Sequence, residues 1–287
     1  MNYTRRIKTF GFINLNKPSG KSSALYVAKI KRLTGQPCGH LGTLDPLASG
    51  VLPVGIGNAN RLFDYFLNKK KEYVAQFTFG VTSDTLDSTG EIVKSGFVPS
   101  EKDVVAALPS LVGEINQIPP KYSAKSVDGR RGYALARAGV EFTLPPKRVC
   151  VDEFVCLGKG EDESSYRFLI KCGAGTYIRS LARDLAALLG TSALMSSLQR
   201  TASGLFVIEN AVSPDDLTEE NVEEYIVPTE SVLGEPPLFA AENDRVFTGV
   251  KTRADAADGT YKLYRGESFY GLAKVENGAF QKVIKLC

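Results

Sequence analysis

Residues 72–81, EYVAQFTFGV, alternate: Tyr73, Ala75, Phe77 and Phe79 fall on one side of an extended chain, Val74, Gln76 and Thr78 on the other. A period of two predicts a half-buried strand. SYRFLIKC repeats the pattern with Tyr166, Phe168 and Ile170 on one face. FGFINLNK reads as a further strand, with Phe12, Ile13 and Leu15 running into a Pro18-Ser19-Gly20 turn. Other segments carry a helical period instead. SSALYVAKIKRLTG places apolar residues at 24, 27, 28 and 30, with Ser22 or Ser23 as cap and Gly35 as stop. TYIRSLARDLAALLG carries a stripe at 178, 181, 185 and 188 and ends at Gly190. SEKDVVAALPSLVG reads as a capped helix limited by Pro109. The chain therefore mixes strands with amphipathic helices.

Its 287 residues suit one large domain plus a small appendage. CGHLGTLDPLASGVLPVGIGNANR, residues 38–61, reads as a long Gly- and Pro-rich loop whose interleaved Leu and Val argue for burial. TSDTLDSTGEIV reads as a turn leading to another strand. Residues 117–150 hold seven Lys/Arg against two acids and read as an inserted arm with a short helix near RGYALARAG. Residues 209–235 hold nine acids and no Lys/Arg, the pattern of a solvated face or a linker. Pro236-Pro237 then marks a boundary, giving units 1–235 and 236–287. The second unit alternates in short runs (TYKLYRG, SFYGLAKV, FQKVIKL) and reads as a small β-rich module.

The net charge of +3 conceals an asymmetry. Residues 1–80 carry twelve Lys/Arg against three acids, 81–235 carry fifteen against 23, and 236–287 carry eight against six. A basic front end suggests a polyanionic partner. The single histidine, His40, removes multi-histidine zinc sites and leaves a catalytic triad only His40 to use. Five widely spaced cysteines with no CxxC fit a reducing compartment. No stretch approaches the ~20 apolar residues of a membrane helix, and a cytoplasmic location is expected. No GxxxxGKS, HExxH or GxSxG occurs.

Asp45 stands out locally, as one of three acids in a basic stretch, confined by Pro46 to extended conformations. A carboxylate on a stiff loop near cations can serve as nucleophile or base. The same Asp-Pro pair also reads as a helix start. Arg179 lies in the first turn of its helix, where a cation opposes the macrodipole and calls for a compensating carboxylate. Asp45 is a candidate; Asp184, on the same helix, is not. The alternative is an exposed basic edge of Arg179 with Arg183. Tyr73 follows Lys69-Lys70-Lys71 and suits base stacking, or else the core. Tyr177 carries the same pair of readings. His40 by itself reads as a surface or hydrogen-bonded histidine.

Together these residues resemble the bacterial tRNA pseudouridine synthase B (TruB) family. Asn16-Lys17-Pro18-Ser19-Gly20 looks like its first motif, although the family usually has Asp where Asn16 stands. Gly39–Pro53, centred on Leu44-Asp45-Pro46, looks like its catalytic loop. Lys71-Glu72-Tyr73 resembles its K-x-Y motif. Gln117–Ala124 resembles the segment leading into its RNA-gripping arm. Gly175–Leu181 resembles its arginine motif, and Leu198-Gln199-Arg200-Thr201 the motif after that helix.

The resemblance implies an α/β (α+β) pseudouridine synthase fold. Its mixed, mostly antiparallel sheet has flanking helices and a central cleft, and a PUA-like RNA-binding module follows at 236–287. Asp45 is implied as the essential carboxylate, Arg179 as its ion-pair partner and Tyr73 as the ring stacked on the target base. Tyr177 and Leu198 are implied as pocket walls, and His40 as a wedge replacing the flipped nucleotide. Lys17, Lys125 and Arg200 are implied as further substrate contacts. The implied reaction converts uridine 55 of the tRNA T loop to pseudouridine. It breaks the N1–C1′ bond and forms a C5–C1′ bond with no redox change, so no cofactor and no metal is implied. The implied partner is the tRNA T arm, bound by a monomer away from membranes. The alternatives are a pseudouridine synthase for another RNA, a non-catalytic tRNA-binding or tRNA-folding protein, and a metal-free hydrolase using Asp45 on a nucleoside.

Overall fold

The computed structural model describes residues 10–123, 126–127, 130–234, 236, 238–240, 244–248 and 252–286. The chain begins with β1 (Gly11–Lys17), α1 (Ser23–Thr34), β2 (Cys38–His40), β3 (Ser49–Ile56), α2 (Phe63–Leu67) and β4 (Lys71–Phe79). A hairpin of β5 (Val81–Ser83) and β6 (Ile92–Lys94) follows, then α3 (Glu101–Ala107) and β7 (Gly113–Gln117). The arm carries β8 (Ser126–Val127), β9 (Arg130–Arg131) and α4 (Gly132–Arg137). The chain returns through β10 (Lys147–Lys159), β11 (Ser165–Cys172), α5 (Ile178–Leu188), β12 (Ala193–Ser203), β13 (Phe206–Val207) and β14 (Val227–Pro228).

Among the described residues, a 10-stranded sheet runs in the order β14-β1-β3-β12-β4-β11-β10-β7, with β2 on β3 and β13 on β12. Every pairing in it is antiparallel except β3 with β12. That parallel contact is brief, Gln199 opposite Ser49 and Arg200 opposite Gly50, whereas β12 follows β4 along most of its length. β3 and β12 therefore meet only over this short stretch. Gly50 sits at the crossing with φ +95°, and a Cβ there would lie 2.3 Å from the Arg200 carbonyl oxygen. A side chain at this position would push the two strands apart.

The alternating faces are where the period-two reading placed them. Phe77, Phe79, Tyr166, Phe168 and Phe154 pack edge-to-face or tilted beneath α5, whose Leu181, Ala182, Leu185 and Ala186 are wholly buried. A second apolar cluster joins Phe12, Leu62, Phe66 and Phe206 to Val232 and Leu233. It also takes in Leu272 and Leu286 from the C-terminal sheet, whose strands are β15 (Leu238–Ala240), β16 (Gly259–Arg265), β17 (Ser268–Glu276) and β18 (Ala279–Lys285). The β-rich module thus shares a core with the larger unit.

Three local expectations are corrected. The stretch 38–61 is no long loop: β2 and β3 lie within it, and β3 is buried from Gly50 to Ile56. The arm is shorter than 117–150, because Lys147–Val151 pair with Gly113–Gln117 inside the sheet. The acidic segment 209–235 is no linker. Val212 exchanges hydrogen bonds with Asn14 and Asn16 beside β1, and Leu217, Val222, Ile226, Val232 and Leu233 are buried. Glu209, Asp215, Asp216, Glu219, Glu220 and Glu224 are exposed on a segment that covers the sheet edge.

Candidate active site

Asp45 occupies the turn between β2 and β3, and that turn is stapled from outside. The Ser23 hydroxyl donates to the Leu44 carbonyl at 2.8 Å and accepts from the Leu44 N–H at 2.9 Å. Gly20 N–H donates to the Pro46 carbonyl at 2.7 Å, and the Ser19 hydroxyl to the Leu47 carbonyl at 2.6 Å. Lys17 Nζ donates to the carbonyls of Pro18, Pro46 and Ala48 at 2.9, 3.3 and 2.6 Å. Ala48 N–H closes the turn on the Asp45 carbonyl at 3.0 Å. No helix follows Pro46, which excludes the helix-start reading of Asp45. The Asn16–Ser23 segment instead fixes the backbone on which Asp45 stands, and such support holds a reactive group in place.

Lys17 is part of this support. It is 0% exposed, and its three donors meet main-chain carbonyls, so it holds the turn. Burial lowers its pKa to about 8 against the pull of Asp45, with Arg200 adding to the lowering. At neutral pH it still carries its proton. Between pH 8 and 10.5 the folded chain sheds a proton that the unfolded chain keeps, so this lysine's contribution to stability rises with pH there. The difference in unfolding free energy between the protein and Lys17→Met is therefore expected to grow between pH 8 and 10 in urea titrations. A difference independent of pH would contradict this placement of Lys17.

Arg179 is 6% exposed and makes four contacts. Nη2 lies 2.8 Å from Asp45 Oδ2 and donates to the Tyr122 carbonyl at 3.0 Å. Nη1 lies 3.5 Å from Asp87 Oδ2 and donates to the Thr85 carbonyl at 2.9 Å. The cation at this helix start is thus balanced by two carboxylates, and the exposed-edge reading of Arg179 fails. Asp45, with its side chain 40% exposed, is the carboxylate open to the cleft. Asp87 is buried and accepts from the Thr85 hydroxyl at 2.8 Å, the Thr89 N–H at 3.0 Å and the Thr89 hydroxyl. The neighbouring Arg183 bonds Asp184 at 2.8 Å through Nε.

The pocket in front of this pair has a volume of about 270 Å³. Tyr73, Tyr177, Leu198, Met195 and Ile178 wall it, and Asp45, Arg179, Lys71 and Arg200 supply its charge. The Tyr73 phenol is pushed up by burial, which keeps the ring neutral. Arg200 is a wall of the pocket, but it is buried and committed elsewhere. Its Nε donates to the Val51 carbonyl at 2.7 Å, its Nη2 to the Gly42 carbonyl at 3.1 Å, and its guanidinium bonds the Tyr73 hydroxyl. These bonds tie Arg200 to β3 and to the turn that carries Asp45. Tyr177 leads into α5, and Gln117 grips its main chain in both directions, accepting from its N–H at 2.8 Å and donating to its carbonyl at 3.1 Å. His40 lies on β2 opposite Val54, outside the pocket wall, with its pKa lowered by burial and its Nδ1 buried. Lys125 lies outside the described residues.

Sequence reasoning had not singled out Asp87 or Ser23 for this site, and it named Gln117 and Lys71 only as members of motif segments, with no role. The Thr-x-Asp-x-Thr spacing around Asp87 read only as a turn. Ser23 read as a helix cap, but its hydroxyl serves Leu44 and no side-chain cap bond forms at Ser22. Among the described residues, no group of three or more His, Cys, Asp or Glu is arranged to hold a metal ion.

The model of the TruB family pseudouridylate synthase N-terminal domain matches residues 31–178, and that of the tRNA pseudouridylate synthase B C-terminal domain matches 179–234. The chain belongs to the tRNA pseudouridine synthase B family. A tRNA pseudouridine synthase B of Clostridium kluyveri is 34% identical, covering 96% of this chain and 99% of the relative. One of Synechocystis is 44% identical, covering 76% of this chain and 75% of the relative. Among solved structures, that of a Cbf5-Nop10-Gar1 complex superposes with a TM-score of 0.69 at 29% identity, covering 93% of this chain and 78% of that one. Membership makes the chain a pseudouridine synthase, an isomerase, and the Asp45 pocket carries the motifs through which the family was recognised in sequence.

Proposed function

We propose that this protein converts uridine 55 in the T loop of tRNA to pseudouridine, and that the base reacts after being flipped into the Asp45 pocket. The observation that carries the reading is the pair of Asp45 and Arg179 at 2.8 Å on the floor of a small pocket with two tyrosine rings in its walls. Flipping takes a base out of its stack at a cost of a few kcal/mol. Stacking on Tyr73 returns ~1–3 kcal/mol of it. The Asp45 carboxylate then works on the ribose, either attacking C1′ as a retaining glycosidase does or taking a proton from C2′. Either route breaks the N1–C1′ bond, lets the uracil turn within the pocket and closes the C5–C1′ bond, as the bond to Asp45 breaks or the proton taken from C2′ returns; C5 then gives up its proton and N1 takes one up.

The named substrate of the relatives supports tRNA, as do the basic front end and the basic arm, which suit phosphate contacts. In this reading His40 enters the T loop in place of the flipped nucleotide. Residues 236–287 act as a PUA-like RNA-binding module, Lys125 contributes to the arm's grip, and the protein works as a monomer in the cytoplasm. No helix among the described residues is long and apolar enough to cross a membrane.

The test is positional. An unmodified tRNA transcript is incubated with the protein without added metal or cofactor, and pseudouridine is mapped by carbodiimide labelling and primer extension. A single new stop one nucleotide 3′ of position 55 is expected. Modification elsewhere would move the substrate to another site, and binding without any product would favour a tRNA-binding or tRNA-folding protein.

A further inference from the structure

Tyr177, Ile178 and Arg179 line the Asp45 pocket in succession. The chain reaches them through Gly173-Ala174-Gly175, and Gly175 has φ +80°, a conformation that suits glycine and leaves the turn little stiffness of its own. Tyr177 is extended (φ −103°, ψ 113°) just ahead of α5, and its side chain makes no capping bond to the helix. What holds this helix start comes from another part of the chain. Gln117 ends β7 and is 1% exposed. Its carboxamide spans the Tyr177 main chain, Oε1 accepting from the N–H at 2.8 Å and Nε2 donating to the carbonyl at 3.1 Å. The residues after it continue the strap. The Ile118 carbonyl accepts from Ser180 Oγ and from Arg183 Nη2, both at 2.9 Å, and the Tyr122 carbonyl accepts from Arg179 Nη2 at 3.0 Å. Of these bonds, those of Gln117 act on the main chain of a residue that lines the pocket.

We infer that Gln117 is a positioning residue for the isomerisation: by fixing both main-chain groups of Tyr177, it sets where the Tyr177 ring and the Arg179 guanidinium stand against the Asp45 carboxylate. The inference rests on the reading that a uridine reacts in this pocket. Gln117 is not among the residues that line it, so it acts through Tyr177. An amide at this length is suited to the task, because it carries an acceptor and a donor side by side. Without the bridge, the glycine-rich turn lets the helix start shift, and a displacement of about 1 Å near reacting groups costs on the order of 10²-fold in rate.

The test separates positioning from stability. Single-turnover rate constants at saturating protein, half-saturation concentrations for an unmodified tRNA transcript and urea unfolding midpoints are measured for the protein, Gln117→Met, Gln117→Glu and Ser180→Ala. The methionine keeps the length of the side chain and removes both bonds. It is expected to lower the rate constant by about 10- to 100-fold, with half-saturation within about 3-fold, since phosphate contacts dominate affinity. The glutamate still accepts from the Tyr177 N–H, so its rate constant is expected between those of the methionine variant and the unaltered protein. Ser180→Ala removes a bond from the same strap without touching the Tyr177 main chain, and it is expected to shift the midpoint while keeping the rate constant. A role confined to stability would move midpoints alone, because at saturation folded molecules still meet every tRNA. A Gln117→Met rate constant equal to that of the unaltered protein would therefore overturn the inference. So would an equal loss in Ser180→Ala, a glutamate variant no faster than the methionine one, or a loss confined to half-saturation. Failure of the unaltered protein to form pseudouridine would instead remove the reading beneath it, and the inference with it.

Discussion

Asp45→Asn is expected to abolish pseudouridine formation while leaving the protein folded. The loss in single-turnover rate should be on the order of 10⁴-fold or more, as when an enzyme loses its nucleophile. The fold should survive because the substitution keeps the shape of the side chain. The turn is held by Lys17, Ser19, Gly20 and Ser23 through main-chain atoms and not through the carboxylate. Arg179 also retains Asp87, Thr85 and Tyr122. Binding of tRNA by the variant should stay within a few-fold, since phosphate contacts dominate affinity for nucleic acid. The check is product formation at saturating enzyme together with a filter-binding titration. Turnover near that of the unaltered protein would remove Asp45 from the chemistry.

Arg179→Met should damage both stability and activity, and the two losses have separate causes. The substitution leaves Asp87, buried and aimed at the missing cation, without its charge partner, and strips two carbonyls of a donor. Breaking a buried ion pair from one side costs about 3–5 kcal/mol, so urea unfolding should show a loss of that order. Arg179→Lys separates the two effects. It keeps one positive charge but not the planar fork that spans Asp45 and Asp87. Its stability should lie between those of the parent protein and the methionine variant. Its activity should still fall by about 10²-fold, because a reacting group displaced by an ångström loses that much. A lysine variant with full activity would mean that charge alone, without the two-sided grip, is what Asp45 requires.

Much of the architecture was legible in residue order because burial on one face of an element leaves a period. β4 and β11 showed the period of two, and α1 and α5 were read as helices, but the buried face of α1 runs through Tyr26, Ile30 and Leu33 with Ala24 and Ala28 exposed, and Leu188 of α5 is exposed. The strands that frame the cleft were not legible. β3 reads SGVLPVGI and is buried on both faces, so it has no alternation, and its two glycines and proline imitate a loop. In β12 the register shifts between Met195 and Ser197 and again between Arg200 and Ala202. Each bulge resets which side chain faces the core and breaks the pattern. β10 is interrupted in the same way near Val151 and Cys156.

In the site, the motifs by themselves determined which residue types would meet: a carboxylate on a proline-stiffened turn, an arginine at a helix start, a tyrosine opening a strand. Tertiary structure decided which of them remain available to substrate. Lys17 and Arg200, expected as substrate contacts, are both buried, with Lys17 Nζ on the carbonyls of Pro18, Pro46 and Ala48 and Arg200 on those of Val51 and Gly42. Asp87 joined the site only through a hairpin brought beside β12. The reason is physical. A side chain's chemistry is written in its type, but whether a donor is free depends on which carbonyl oxygens folding brings within about 3 Å of it, and those come from distant parts of the chain.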